Sequence, residues 1–162
     1  MKKLNKKNRY LLLCLISVVL VIVIILILVS GRNKTMVCTS SSDQSKNGYI
    51  YETKNVVTYK GDYVDTIETT EIVKSDNKDV LNKYEKVFKK QYKYNKDTYG
   101  GYTYKVIKNK KEVIATNVTD YSKFNMKKFV KNNIVMEKFV ENNKLTVDSI
   151  KRMYVSTGAK CN

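Results

Sequence analysis

The chain has 162 residues and a formal net charge of +16, from 31 Lys and Arg against 15 Asp and Glu. It contains no His, which excludes Ser-His-Asp and Cys-His nucleophilic catalysis together with most zinc sites. Phosphate-binding glycine motifs and EF-hand calcium loops are also missing from the sequence, so no cofactor or metal is expected.

An unbroken apolar run covers residues 11–29 without a charge, a Gly or a Pro. At about 1.5 Å rise per residue it forms a helix of roughly 28 Å, which is long enough to cross a bilayer. Lys and Arg are concentrated in residues 1–10, so the positive-inside rule predicts a cytoplasmic tail there. The run itself is then a transmembrane signal anchor, and everything after it is extracellular.

A cleavable signal peptide is the alternative for this segment, because Val29-Ser30-Gly31 offers small residues to a signal peptidase. The apolar run exceeds the roughly 7 to 15 residues usual in signal peptides, which favours an uncleaved anchor. A lipid attachment site is not expected, since Cys14 lies inside the run and Cys38 follows Val37.

The part of the chain beyond the anchor holds 26 of the Lys and Arg and all 15 Asp and Glu, which leaves a net charge of +11. Such a surface attracts polyanions, among them teichoic acid, anionic lipid headgroups and acidic polysaccharides. The composition of an A+T-rich genome explains much of the same charge, so both interpretations stay open. No nucleic-acid partner is expected, because zinc-finger, helix-turn-helix and RNA-binding signatures are lacking.

Two cysteines lie outside the predicted membrane segment. Cys38 lies near the start of the extracellular part, and Cys161 is the penultimate residue of the chain. The ends of a domain often lie close together, so we predict a disulfide between them in an oxidising compartment. Two free or intermolecular thiols are the alternative. The spacing lacks the Cys-x-x-Cys of redox enzymes.

Residues 30–47 become polar after Cys38 and predict a linker ahead of an extracellular domain at 48–162. Strand-forming residues at 49–58 and at 63–73, joined by a turn at Lys60-Gly61-Asp62, predict a β-hairpin. An amphipathic pattern follows it, with cap candidates at Ser75, Asp76 and Asn77, and predicts a helix to about Asn95.

The second half repeats this order of elements. Runs at 102–107 and 113–119 predict another hairpin, whose turn carries Lys108, Lys110 and Lys111 as a candidate polyanion site. A further helix is predicted at 126–139, interrupted near Asn132-Asn133, and a last one runs from the cap Thr146 to about Gly158. The order ββαββαα predicts an α+β fold with a four-stranded antiparallel sheet and helices on one face.

The stretches YKGDYVDTIETT at 59–70 and TDYSKFNMKKF at 119–129 resemble the YehR-like family of small bacterial lipoproteins of unknown function. The likeness covers roughly residues 49–139. It implies an α+β surface protein of a Gram-positive bacterium and brings no catalytic residues with it. This chain departs from the family because it has a hydrophobic helix in place of a lipobox.

Four carboxylates cluster on the first hairpin: Asp62, Asp65, Glu68 and Glu71. A pair of carboxylates can hydrolyse glycosides, but strand alternation places Asp62 and Glu68 on one face and Asp65 and Glu71 on the other. We therefore expect all four to be solvated.

Tyrosines recur on the predicted strands and alternate in part with lysines. They could stack on sugar rings or pack within the sheet, and tyrosine favours strands for the second reason. The six on predicted strands are Tyr49, Tyr51, Tyr59, Tyr63, Tyr102 and Tyr104.

These features predict a single-pass, N-in membrane protein that displays a disulfide-closed binding or accessory module of the cell envelope, and not an enzyme. One alternative is a carboxylate-dependent enzyme acting on an envelope glycan. Another is a subunit of a larger membrane complex, which would leave an apolar patch on the bare sheet face. A polyanion binder would instead line that face with lysines.

Overall fold

The fold is described here from a computed structural model, which covers residues 33–162. The predicted tail at 1–10 and the predicted transmembrane helix at 11–29, with Cys14, lie outside the described residues. Between residues 33 and 162, no helix has the length and apolar character needed to span a membrane. The elements below all belong to the unit Lys34–Asn162.

Three long antiparallel strands open the domain, namely β1 (Lys34–Gln44), β2 (Tyr49–Lys60) and β3 (Tyr63–Lys74). The predicted hairpin of β2 and β3 is confirmed. The linker predicted at 30–47 is wrong for β1, which pairs with β2 along its whole length.

Strand β1 was missed because its second half is polar and shows no hydrophobic alternation. Its register sets Lys34 opposite Tyr59 and Gln44 opposite Tyr49. Backbone pairing to β2 holds this half of the strand, helped by a 2.7 Å hydrogen bond between the hydroxyls of Ser40 and Thr53.

Helix α1 (Lys78–Tyr99) follows, and the side chain of Asn77 caps it by accepting a 2.8 Å hydrogen bond from the Asp79 amide. The helix runs one turn beyond the predicted end near Asn95. Strands β4 (Tyr102–Lys108) and β5 (Glu112–Asp120) then form the second predicted hairpin.

The C-terminal part is built from short elements. They are α2 (Met126–Asn132), a 3-10 turn (Ile134–Phe139), β6 (Val140–Glu141), β7 (Lys144–Leu145), α3 (Val147–Ser156) and β8 (Lys160–Cys161). The predicted interruption at Asn132-Asn133 is confirmed, because the α-helix ends there. The predicted cap is also present, since Thr146 Oγ1 accepts a 3.2 Å hydrogen bond from the Ser149 amide.

The main sheet has six strands in the order β4-β5-β3-β2-β1-β8, and all its pairings are antiparallel. The α+β class with an antiparallel sheet is confirmed, whereas the predicted count of four strands is wrong. The two additional strands are the polar β1 and the two-residue β8. Neither carries a period-2 pattern that a sequence could reveal.

The predicted disulfide joins Cys38 of β1 to Cys161 of β8, with an S–S distance of 2.00 Å. Two backbone hydrogen bonds of 3.0 Å between Val37 and Asn162 continue this pairing. The end of the chain is thereby fixed to the first strand of the domain.

The helices and the buried strand residues share one sheet face. One core cluster lies beneath α1 and comprises Val73, Leu81, Phe88, Tyr92, Val113 and Ala115. The other lies toward the C-terminal helices and includes Met36, Val57, Ile67, Tyr99, Phe124 and Ile150. The strand registers place the inward residues of both clusters on the same side of the sheet.

Candidate functional site

A groove with a volume of about 550 Å³ opens on the helix-covered face, between α1 and the ends of β1, β2 and β3. We call it the tyrosine groove. Its strand side consists of Ser42, Gln44, Tyr49, Tyr51 and Glu71. Its helix side consists of Tyr84, Val87, Phe88, Gln91 and Tyr92.

Local periodicity explains why these side chains converge. Tyr84, Phe88 and Tyr92 are spaced four residues apart, which places them along one side of α1. Tyr49 and Tyr51 alternate on β2 and so share a face. Because α1 packs on β3, β4 and β5, the margin of the sheet formed by β1 and β2 remains open beside the helix.

Aromatic rings form a continuous wall along the groove. Ring centroids are 5.0 Å apart for Tyr49 and Tyr84, and 5.9 Å apart for Tyr84 and Phe88. Phe88 and Tyr92 follow at 6.2 Å. Burial, followed by a hydrogen bond with Tyr49, raises the pKa of Tyr84 to about 12, so its hydroxyl is neutral at physiological pH.

Glu71 lies at the bottom of this wall, on the helix-covered face of β3. Tyr51 donates a hydrogen bond to its Oε1 atom and Tyr92 donates one to its Oε2 atom. Burial raises the pKa of Glu71, against the hydrogen bond from Tyr51, which lowers it. Burial and the neighbouring Glu71 charge raise the pKa of Tyr51 in turn.

Among residues 33–162, no Lys or Arg nitrogen lies within 4.0 Å of the Glu71 carboxylate oxygens. Across residues 33–162, every Lys or Arg nitrogen that pairs within 4.0 Å of a carboxylate pairs with another acidic side chain. In a chain with 31 Lys and Arg, this makes Glu71 a partly buried anion held by phenol hydroxyls alone.

The other three predicted carboxylates do not join Glu71. Asp62 is exposed in the turn between β2 and β3, and Glu68 is exposed on the face of β3 opposite the helices. Asp65 is the unpaired residue where the register between β2 and β3 shifts, and it is also exposed. The expectation that all four are solvated is therefore wrong for Glu71, which alternation turns inward.

The three lysines of the candidate polyanion site have different environments. Lys108 lies 2.5 Å from Glu85 and donates a 2.8 Å hydrogen bond to Asn82 on α1. Hydrogen bonds from Lys108 and then Lys89 lower the pKa of Glu85 to about 2. Lys110 and Lys111 are exposed in the turn between β4 and β5.

Five of the six predicted strand tyrosines divide between packing and the groove, whereas the ring of Tyr63 lies 5.1 Å from the Lys144 ammonium. Tyr59 and Tyr102 pack against the C-terminal core cluster, and Tyr104 packs against the cluster beneath α1. Tyr49 and Tyr51 pack there as well but also face the groove. Tyr49 and Tyr51 can therefore pack against the core and contact a ligand in the groove at the same time.

The sheet face opposite the helices is chemically mixed. Half-buried Val37 and Val56 lie side by side, and the next strand places the exposed Glu68 beside Val56. Exposed Lys54 and Lys105 flank a row of threonines. An apolar row also crosses β4, β5 and β3 at one end of this face and consists of Ile107, Ile114 and Ile72. Threonines, lysines and an acidic residue separate this row from the two valines, so the face is neither continuously apolar nor lysine-lined and favours neither a complex subunit nor a polyanion binder.

Within the described range, 33–162, no group of three or more His, Cys, Asp or Glu is arranged to hold a metal ion. Glu71 supplies the single carboxylate among the described residues that line the tyrosine groove.

The fold thus defines a small α+β protein with a disulfide-closed antiparallel sheet and a groove beside its long helix. The chain is similar in structure to the YehR protein of E. coli, with a TM-score of 0.58 and 14% identity over 81% of this chain and 91% of that one. It is also similar to a Streptococcus pneumoniae protein, with a TM-score of 0.54 and 14% identity over 82% and 86% of the two chains. A YehR-like fold is therefore supported.

Neither the family models nor the curated proteins compared with the chain gave a match.

The sequence places every ring of the groove on a predicted strand or helix but does not show that these rings converge. The available signal was the position of Glu71, which shares the inward alternation of Thr69 and Val73. A carboxylate at a core-facing strand position requires polar partners, and these come from β2 and α1.

Proposed function

We propose that this chain is a membrane-anchored binding module of the bacterial cell envelope and that its binding site is the tyrosine groove. The observation that carries the proposal is a partly buried carboxylate, Glu71, at the bottom of an aromatic-walled groove of about 550 Å³. That volume is in the range of pockets that hold small ligands, and aromatic walls with a few convergent polar groups are typical of them.

The apolar run at 11–29 and the basic residues before it support an N-in anchor with the domain outside the cell. An anchored module meets ligands at the membrane surface or in the wall. The disulfide between Cys38 and Cys161 suits such an oxidising location.

The alternative of a glycan-cleaving enzyme has less support. Glycoside hydrolysis by the common mechanism needs two carboxyl groups within about 5 to 10 Å across the scissile bond. The groove offers Glu71, while Asp62, Asp65 and Glu68 are exposed elsewhere. A binding function needs no second carboxylate.

The test is a ligand-observed NMR screen of the full chain in a nonionic polyoxyethylene detergent. The probes are N-acetylglucosamine, glycerol 3-phosphate, choline and L-lysine, which represent neutral, anionic and cationic envelope chemistry. We expect at least one probe to bind and Tyr84→Ala to abolish its signal, because Tyr84 forms the wall of the groove.

Tyr94→Ala is the matched control, since Tyr94 lies on the same helix, is 55% exposed and is not part of the groove lining. Thermal denaturation of both variants separates loss of binding from loss of folding. Binding that survives Tyr84→Ala in a folded protein, or no binding by any of the probes, would contradict the proposal.

A further inference from the structure

The charge distribution inside the tyrosine groove indicates which class of ligand it binds. The inference drawn from it rests on the proposed function of the groove as a binding site. The groove contains one ionisable anion, Glu71, whose two oxygens each accept one tyrosine hydroxyl. A carboxylate oxygen has further lone pairs after one hydrogen bond, so the group can still face a ligand.

The ionised form of a partly buried carboxylate is destabilised when no cation lies beside it. Burial removes hydration from the charge, and two neutral phenols replace only part of it. The raised pKa of Glu71 is consistent with that deficit. A bound cation would restore the missing charge, because an opposite charge close to a desolvated carboxylate stabilises its ionised form.

The aromatic side chains of the groove favour one kind of cation over others. Tyr49, Tyr84 and Phe88 present their rings in sequence, with centroids 5.0 Å and 5.9 Å apart. Aromatic faces attract organic cations through the ring quadrupole, while metal ions prefer several oxygen ligands. A single carboxylate within an aromatic wall matches the first class.

Two polar side chains at the rim, Ser42 and Gln44, are already hydrogen-bonded, whereas Gln91 is exposed. Gln44 donates a 2.7 Å hydrogen bond to Ser42, and its carbonyl oxygen accepts a 3.1 Å hydrogen bond from Asn47. A sugar ring would need several free donors and acceptors around it, whereas an alkylammonium group needs mainly charge and apolar contact. The rim therefore favours a cation over a neutral glycan.

We infer that the tyrosine groove binds an organic ammonium group, with Glu71 as the counter-charge and the rings of Tyr49, Tyr84 and Phe88 as the aromatic wall beside it. The group can belong to a methylated ammonium or to a primary amine. Both chemistries share the positive charge and differ in size and hydrogen bonding, so the test must separate them.

Isothermal titration calorimetry on the full chain, in the same nonionic detergent, measures the affinity of three probes. They are choline, its neutral carbon isostere 3,3-dimethyl-1-butanol, and n-butylamine. We expect the neutral isostere to bind at least about tenfold more weakly than choline, because it keeps the shape and lacks the charge. The stronger of choline and butylamine identifies the type of ammonium.

Glu71→Gln should reduce the affinity for the ammonium probe by about tenfold or more, since it removes the counter-charge and keeps the side-chain shape. Glu68→Gln is the matched control on the same strand, with an exposed side chain on the opposite face. The comparison of choline with its isostere uses the unaltered chain, so it holds even where Glu71→Gln weakens the fold.

Several outcomes would overturn the inference. Equal affinity for choline and its isostere would show that charge is not recognised, although the groove would still be a binding site. Binding of N-acetylglucosamine without binding of either ammonium probe would leave the proposed function intact and reject the ammonium ligand. If neither ammonium probe binds, the ammonium ligand is rejected. The proposed function fails as well only if N-acetylglucosamine, glycerol 3-phosphate and L-lysine also do not bind.

Discussion

Glu71 is an acidic residue at a strand position that faces the core, where apolar residues are usual. Its neighbours on the same face, Ile67, Thr69 and Val73, are core-facing residues, and the carboxylate takes a place among them. Tyr51 and Tyr92 satisfy its oxygens, so the cost of burying it is reduced but not removed.

The raised pKa of Glu71 predicts a pH-dependent stability with a definite sign. Between the ordinary value of 4.5 and the higher folded value, the folded state binds more protons than the unfolded state. The unfolding free energy therefore falls as pH rises through this window. Glu71→Gln lacks that proton, so its stability relative to the unaltered chain should increase as pH rises.

Thermal denaturation from about pH 4 to about pH 8 tests this, because the linkage acts on any two-state unfolding equilibrium. Glu68→Gln provides the control for removing one negative charge from β3. The same pH dependence in both variants would show that the effect is one of net charge and not of burial at Glu71.

At the scale of elements, the connection from α1 to β4 depends on a close backbone approach. Gly101 has a φ of +67°, and a Cβ atom there would lie 2.6 Å from the Asp120 carbonyl oxygen and 3.0 Å from the Phe124 amide. The Asp120 amide in turn donates a 2.8 Å hydrogen bond to the Gly101 carbonyl. The residue directly before β4 is thus held against the end of β5.

Gly101→Ala should destabilise the domain more than Gly61→Ala. Both positions have positive φ, which costs a non-glycine residue about 1 to 2 kcal/mol, but a Cβ at Gly61 meets nothing within 4 Å. The backbone clash at Gly101 should add about 1 to 3 kcal/mol. Denaturant unfolding measures the difference, and equal losses at the two glycines would contradict the close approach.

The disulfide also connects two elements, because it joins β1 to β8. It joins residues separated by 123 positions, and in the chain-entropy model such a closure stabilises by roughly 4 to 5 kcal/mol. Reduction with dithiothreitol should lower the unfolding free energy by about that amount, and Cys161→Ser should have the same effect. Cys14→Ser leaves this pair intact and should change nothing, whereas an unchanged denaturation midpoint after reduction would refute the prediction.

For the molecule as a whole, the net charge of +11 in residues 30–162 raises the question of whether the protein binds a polyanion. Lys108 is engaged by Glu85, so a surface for anionic polymers at this turn would depend on Lys110 and Lys111. A double reversal, Lys110→Glu with Lys111→Glu, should abolish retention on teichoic acid at low salt if this turn is the contact. Retention by the unaltered chain should weaken with salt, as screened surface charge requires.

The matched control for the charge reversal is Lys127→Glu with Lys128→Glu, an exposed pair on α2 that changes the net charge equally. Equal losses in the two double variants would show that total charge, and not this turn, attracts the polymer. If teichoic acid does not retain the unaltered chain, the positive charge is explained by the amino-acid composition and not by polyanion binding.

The predicted insertion into a membrane, and its orientation, are testable in bacterial cells with an epitope tag at each end of the chain. An N-in anchor predicts that protease added outside removes the C-terminal tag, while the N-terminal tag stays protected until lysis. A cleaved signal peptide would instead separate the N-terminal tag from the mature protein. Detection of both tags on one membrane-bound chain distinguishes these cases.

The sequence by itself determined the features that are encoded locally. Turn residues, cap candidates and periodicity predict the hairpins at Gly61-Asp62 and at Asn109, helix α1 with a cap within residues 75–77, and the interruption at Asn132-Asn133. An even pair of cysteines was likewise sufficient to predict the disulfide.

Only the tertiary structure decided the features that depend on distant partners. Strand β1 exists because β2 supplies its backbone hydrogen bonds, and β8 exists because Cys161 is bonded to Cys38. The tyrosine groove joins residues from three strands and one helix, and the packing of α1 on β3, β4 and β5 leaves it open. Periodicity reports which face a residue occupies, but the partner across that face is set by the packing of the whole chain.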